Sequence, residues 1–224
     1  MNDTPLYLPD NFSGSFPSVQ FALTEPDGLL AVGGNLNPKT ILQAYSQGIF
    51  PWYSDEPILW WSPNPRCVLY PSKLKISRSL KKTLNKKNYQ VKIDTAFRKV
   101  MQACAAPRKD DAGTWINDDM LNAYCKLHEL GYAHSIECWR DNELVGGLYG
   151  IKIGYMFFGE SMFSRQADAS KVALEYLCNT IKPKLIDVQV YSEHMASLGA
   201  ETIDRERFIE LVNSYCRKTL SPIT

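Results

Sequence analysis

Apolar and polar positions along the chain switch repeatedly between a helical period and a strand period. Ile41, Leu42, Ala44 and Tyr45 share one face at helical spacing. Asn37 can cap that helix, Pro38 suits its first turn, and Gly48 ends it. Further on, Cys67 to Tyr70 and Tyr89 to Ile93 predict strands, and Thr95 to Ala105 and Asn117 to Leu130 predict helices. His134 to Trp139 alternates with period two. Arg140-Asp141-Asn142 reads as a hairpin turn, and Glu143 to Ile151 returns from it. A second turn at Lys152 to Gly154 leads into Tyr155 to Glu160. Asp168 then caps a helix to Thr180, Lys184 to Val190 forms a strand, and Asp204 to Arg217 forms the last helix. Prolines at 51, 57, 63 and 65 argue against regular elements in that stretch. The expected fold is α/β (α+β): a small mixed N-terminal domain over residues 1–65, and a larger one over 66–224 with consecutive hairpins at its middle.

An apolar fraction of 45% supplies ample core, and a charged fraction of 22% with a net charge of +1 argues against disorder. The first five residues have neither the basic nor the apolar region of a secretory leader. The most apolar stretch, Leu144 to Phe158, is broken by Lys152 and by recurrent glycines, so no membrane span is expected. The six cysteines form no Cys-x-x-Cys pair and no zinc-ligand spacing, which fits reduced thiols. These features read together as a soluble cytoplasmic protein without a metal.

The near-neutral total hides a polarised chain. Residues 73–92 hold eight of the 25 basic residues and no acid, leaving 17 basic residues against all 24 acidic ones elsewhere. Ser77 can cap a helix here, with Ile76, Leu80 and Leu84 as its buried stripe. Arg78, Lys81 and Lys82 would share its solvent face, with Lys75, Lys86 and Lys87 as further candidate contacts for an anion. Like charges so close oppose a helix unless an anion binds, and a phosphate backbone is the natural one. A solvated basic face with no ligand is the plain alternative.

Two carboxylates stand out. Glu160 closes the aromatic run Met156-Phe157-Phe158, where burial is costly unless a cation such as Arg165 or Lys171 pairs with it. Asp187 lies inside an apolar strand, where Asp is depleted. By alternation Asp187 and Gln189 share one face, and Ile186 and Val188 the other. A polar pair on an inner sheet face suggests a site.

Here the chain resembles the leucyl/phenylalanyl-tRNA–protein transferase family. The resemblance rests on Gly28-Leu-Leu-Ala31, Gly48-Ile-Phe-Pro-Trp52, Trp60-Trp-Ser-Pro63 with Pro65-Arg66, Gly113-Thr-Trp-Ile116 and His128-Glu-Leu-Gly131. It continues through His134-Ser-Ile-Glu137, Leu144-Val-Gly-Gly147, Gly159-Glu-Ser-Met-Phe-Ser164, Ala169-Ser-Lys171 and Ser197-Leu-Gly-Ala200. One departure is Val188, where the family usually has Cys.

The resemblance implies an acetyltransferase-like core behind the N-terminal domain. It implies donors of leucyl-, phenylalanyl- and, less well, methionyl-tRNA, and acceptor proteins with N-terminal Arg or Lys, marked thereby for degradation. An aminoacyl ester is already activated, so no cofactor is expected. Trp52, Trp115, Leu148, Phe157, Leu174 and Leu177 would wall the pocket for the donor side chain. Strict alternation puts Phe157 and Glu160 on opposite faces, so the strand must bulge or twist near Gly159 to bring both to one site. Glu160 would hold the acceptor's cationic side chain, with a guanidinium in bidentate fashion. Asp187, oriented through Gln189, would either take the amine's proton or orient the amine. The three histidines read as structural. Two rivals remain: an acyl-CoA-dependent N-acetyltransferase, weakened by the Gly-free turn Arg165 to Ser170, and a non-catalytic tRNA-binding module.

Overall fold

The alternating stretches fold largely where their periods place them. The computed structural model describes residues 4–106 and 116–216. In chain order its elements are β1 (Leu6–Leu8), β2 (Leu29–Gly33), α1 (Pro38–Tyr45), β3 (Phe50–Pro51), β4 (Leu59–Trp61) and β5 (Arg66–Leu69). There follow α2 (Arg78–Lys86), β6 (Gln90–Ile93), α3 (Phe97–Ala105), α4 (Asp118–Glu129), β7 (Ala133–Arg140), β8 (Glu143–Ile153) and β9 (Met156–Ser164). The described residues finish with α5 (Ala169–Tyr176), β10 (Leu185–Gln189), α6 (Glu193–Ser197), β11 (Glu201–Ile203) and α7 (Arg205–Cys216).

Two sheets result. The small one has the order β1-β2-β4-β3, and the large one β11-β5-β10-β9-β8-β7-β6. In the large sheet β9 and β10 run parallel, and the other neighbours antiparallel. Strands β3 and β4 fall inside the proline-rich stretch, against expectation. Pro51 is tolerated because β3 is an edge strand, where a missing N–H breaks no ladder bond.

Turn and cap chemistry explains most boundaries. Ser77 Oγ accepts from Leu80 N at 3.1 Å and Asn117 Oδ1 from Met120 N at 2.9 Å, starting α2 and α4. Asp141 and Asn142 both have positive φ, 51° and 64°, as a two-residue hairpin requires. Two expected caps differ. Asn37 makes no side-chain cap bond. Asp168 precedes α5 with φ 63° and makes none either; its carboxylate accepts from Lys171 (2.9 Å) and Thr83 (3.1 Å) instead. Ile76 lies outside α2 and is exposed, so the buried stripe of that helix is Leu80 with Leu84.

The large sheet is packed on both faces. Val68, Tyr149, Ile151, Met156, Phe158 and Leu185 point to the side covered by α3, α4, α7 and the N-terminal residues. Cys67, Leu69, Leu148, Phe157 and Ile186 point to the side covered by α2, α5 and α6. Close packing demands glycine at two points. A Cβ at Gly146 would lie 2.4 Å from Ala169 Cβ of α5, and one at Gly150 would lie 2.2 Å from the Phe158 carbonyl oxygen. The first core joins residues on both sides of position 65. Among the described residues no helix is long and apolar enough to cross a membrane.

Candidate active site

The site forms where the parallel pair comes apart. Pairing of β9 with β10 ends at Phe158 and Asp187. Just beyond, both strands bulge. On β9, Gly150 faces Gly159 and Tyr149 faces Ser161, leaving Glu160 as the extra residue. On β10, Val68 faces Asp187 and Cys67 faces Gln189, leaving Val188 extra. Gln189 has φ 69°, the left-handed region that a Gln side chain disfavours. The bulge expected near Gly159 is thus present, and a second one lies opposite. The Gln189 side chain bridges the opening, donating from Nε2 to Glu160 Oε1 at 3.0 Å.

A cavity of about 430 Å³ is lined by Glu160, one partner of this bridge. Leu148, Phe157, Leu174 and Leu177 line it, together with Glu160 and Asp187. The two tryptophans named with them stand differently. Trp52 is absent from the lining; it is 43% exposed, with its ring 5.8 Å from that of Trp61. Trp115 lies outside the described residues. Val188 packs with Ile186 on the face away from the Asp187 carboxylate, as alternation implies, but that face is the cavity wall.

The two carboxylates sit in contrasting surroundings. Asp187 is sealed: its side chain and that of Arg66 are both 0% exposed. Arg66 Nε donates to Oδ1 at 2.9 Å and Nη2 to Oδ2 at 2.7 Å, a two-pronged pair. The Gln189 backbone N–H adds a bond to Oδ1 at 2.9 Å. The guanidinium lies between the rings of Phe50 and Phe208, at 4.6 and 4.5 Å, and donates to the Gly48 carbonyl at 3.2 Å. A buried carboxylate demands such compensation, because an unpaired one would not stay ionised.

Glu160 has no such cation among the described residues. Lys171 pairs with Asp168, and Arg165 leans on the Phe163 ring. Its partners are neutral: Tyr45 Oη donates to Oε1 at 2.7 Å and Tyr124 Oη to Oε2 at 3.2 Å, besides Gln189. Burial pushes its carboxyl up to about 7, against the pull of the Tyr45 hydrogen bond and with the push of the Asp187 charge. Tyr45 and Tyr124 also touch each other, Oη to Oη at 2.5 Å. The two phenolic hydrogens serve the bonds to Glu160 or the contact between the phenols, and not all three at once. Burial raises both phenols well above the usual range, which keeps them donors.

Sequence reasoning missed Arg66, Tyr45 and Tyr124. Tyr45 read as helix core and Arg66 as part of a motif. The signal for Arg66 was indirect: Asp187 inside a strand demanded a cation. The basic stretch is where it was expected, with Lys75, Arg78, Lys81, Lys82, Lys86 and Lys87 all exposed. None of them forms an ion pair among the described residues. The histidines nearest the sheet are structural: His134 Nδ1 contacts Asp94 at 2.7 Å, and His128 stacks on Phe97. Among the described residues no group of three or more His, Cys, Asp or Glu could hold a metal.

Comparison with known proteins bears on this geometry. Residues 68–213 match the family described as leucyl/phenylalanyl-tRNA protein transferase, and residues 34–64 match the N-terminal domain of the same proteins. A leucyl/phenylalanyl-tRNA--protein transferase of Nitrosospira multiformis is 56% identical, covering 88% of this chain and 89% of that protein. One from Chromobacterium violaceum is 54% identical, covering 90% and 88%. Solved structures resemble the chain more remotely. A GCN5-related N-acetyltransferase from Kribbella flavida has 9% identity and a TM-score of 0.36 over 77% of this chain and 63% of that one. L-PGS from Bacillus licheniformis has 12% identity and a TM-score of 0.38 over 75% and 57%.

Proposed function

We propose how the site works from one premise: this chain belongs to the leucyl/phenylalanyl-tRNA–protein transferase family and moves an amino acid from aminoacyl-tRNA to protein N-termini. The finer reading is that leucine, phenylalanine and, less well, methionine are the donors, and that N-terminal Arg or Lys is the acceptor. Residues 1–65 act as a small domain contributing Tyr45, and residues 66–224 as the catalytic domain. The protein works in the cytoplasm, where charged tRNA is made.

The donor side chain enters the cavity against Leu148, Phe157, Leu174 and Leu177. Each methylene gained or lost there discriminates by about 1–3 kcal/mol. Trp52 and Trp115 are read as further walls of the donor site. The exposed cations Lys75, Arg78, Lys81, Lys82, Lys86 and Lys87 hold the tRNA backbone, without reading its sequence.

Glu160 and Asp187 divide the remaining work. A carboxylate offers roughly four acceptor positions. Tyr45, Tyr124 and Gln189 take three of those on Glu160, which leaves room for one N–H and not for a guanidinium fork. Glu160 therefore meets the reacting amine. A carboxyl raised to about 7 is well matched to an α-amino group, whose usual pKa is about 7.7–8.0. The amine nitrogen attacks the ester carbonyl and its surplus proton passes to Glu160. The carbon–oxygen bond to the terminal ribose then breaks, and the ribose oxygen leaves as a hydroxyl by taking the proton that Glu160 received, which returns Glu160 to its starting state. Asp187 is committed to Arg66 and to the Gln189 N–H, so its role is to fix Gln189 in its left-handed conformation. Gln189 Nε2 then orients Glu160, and Oε1 of the same amide can accept from the amine.

The observation that carries this reading is the Gln189–Glu160 bridge, whose Glu160 end lines a largely apolar cavity. The test is transfer of radiolabelled leucine from leucyl-tRNA to a peptide beginning with Arg. Label in the peptide is expected. Label retained on tRNA throughout contradicts it, and acetyl transfer from acetyl-CoA in its place supports the acyl-CoA rival.

A further inference from the structure

A second, larger groove of about 800 Å³ adjoins the donor cavity, and the two share Met162 and His194 as walls. The groove runs along the end of β9 and the turn into α5, past Ser164, Arg165, Gln166 and Lys171. Nothing in the amine chemistry uses it. Its rim is tied to the basic segment at two points: Thr83 Oγ1 of α2 donates to Asp168 Oδ2 at 3.1 Å, and Tyr89 Oη, just beyond the helix, to the Ala167 carbonyl at 2.8 Å. The acid on this wall is neutralised, since Asp168 Oδ1 accepts from Lys171 at 2.9 Å. Arg165 has no carboxylate partner among the described residues; its Nη1 donates to the Leu144 carbonyl at 3.4 Å. The exposed cations of α2 therefore stand beside a groove of mixed apolar and polar lining that shares two walls with the site.

We propose that this groove holds the unpaired ribonucleotides immediately before the terminal adenosine of the donor tRNA. The inference rests on the aminoacyl-tRNA reading above. The groove is of a size for small-ligand sites, roughly 300–1,000 Å³, and its Arg165 guanidinium, hydroxyls and amide suit phosphate and ribose oxygens. An extended acceptor peptide is the other occupant to weigh. The tie to the basic helix favours nucleic acid, because a chain lying on α2 reaches the donor cavity by way of this groove.

The experiment compares three leucyl donors, leucyl-adenosine, leucyl-CCA trinucleotide and leucyl-tRNA, with one Arg-peptide as acceptor. The enzymes are the wild type and the full-length variants Arg165→Glu and Gln166→Trp. With the wild type, leucyl-CCA should exceed leucyl-adenosine in kcat/KM by about tenfold or more, the scale of one or two charge-assisted contacts. Both variants should remove that advantage and leave leucyl-adenosine unchanged. Equal rates for leucyl-CCA and leucyl-adenosine with the wild type overturn the proposal. So does an equal loss on all three donors, or a raised KM for the peptide alone, which assigns the groove to the acceptor. Failure of the wild type to use any donor counts against the transferase reading itself and is seen before any variant is made.

Discussion

Replacing Glu160 by Gln removes an ionisable group whose carboxyl is raised from 4.5 to about 7, chiefly by burial. The folded protein holds that proton to a higher pH than the unfolded chain does. Stability therefore falls as pH rises from the unfolded value through the folded one, and is level above it. At about 1.36 kcal/mol per unit, the shift corresponds to a loss of about 3 kcal/mol for the wild type between acid and alkaline conditions. The Gln variant has no such loss. It gives up part of the hydrogen bonding from Tyr45 and Tyr124, but that deficit does not depend on pH and cancels when two pH values are compared. The assay is urea unfolding of both proteins from pH 5 to 8.5. The stability of Glu160→Gln relative to wild type should rise by about 2–3 kcal/mol across that range, with most of the change below pH 7. A difference that stays flat, or that falls with pH, refutes the reasoning and with it the raised carboxyl.

Three further outcomes are expected. Arg66→Met strands the Asp187 carboxylate without its cation and should cost about 3–5 kcal/mol in urea unfolding, while Arg66→Met with Asp187→Leu recovers most of that and still transfers no leucine. Reversing Arg78, Lys81 and Lys82 to Glu should weaken tRNA binding and flatten its dependence on log salt by about 2–3 units, read by filter binding at several salt concentrations. Leu177→Ala should enlarge the cavity and move donor preference from leucine towards phenylalanine by about 1–3 kcal/mol in relative kcat/KM, measured by competition between the two charged tRNAs.

Much of the fold could be read from local pattern, because the deciding interactions are local. The Asp141-Asn142 turn, the Ser77 and Asn117 caps and the period-two strands all act within a few residues. The site was legible in part. Asp187 declared itself by standing where Asp is disfavoured, and the need for a bulge near Gly159 followed from placing Phe157 and Glu160 at one site. What the sequence could not convey was the partner of each acid. Arg66 meets Asp187 across 121 positions, and Tyr45 meets Glu160 across 115. Those distances let the cation go to Asp187, for which no partner had been named, and phenols to Glu160, which was expected to pair with Arg165 or Lys171. The exchange commits the Asp187 carboxylate to Arg66 and leaves Glu160 as the acid with a carboxyl near neutrality. Pro51 and the strands around it were missed because proline's cost depends on whether its strand is an edge, which only the assembled sheet reveals.

The most direct measurement is the pH dependence of leucine transfer from leucyl-tRNA to an Arg-peptide in single turnover, for wild type and Glu160→Gln. With Glu160 receiving the proton, the wild-type rate rises through a pH of about 7 and then levels. The Gln variant is slower by about 10²–10⁴ and lacks that step, following only the acceptor amine. The same profile and rate in both proteins would contradict a role for Glu160 in handling the amine.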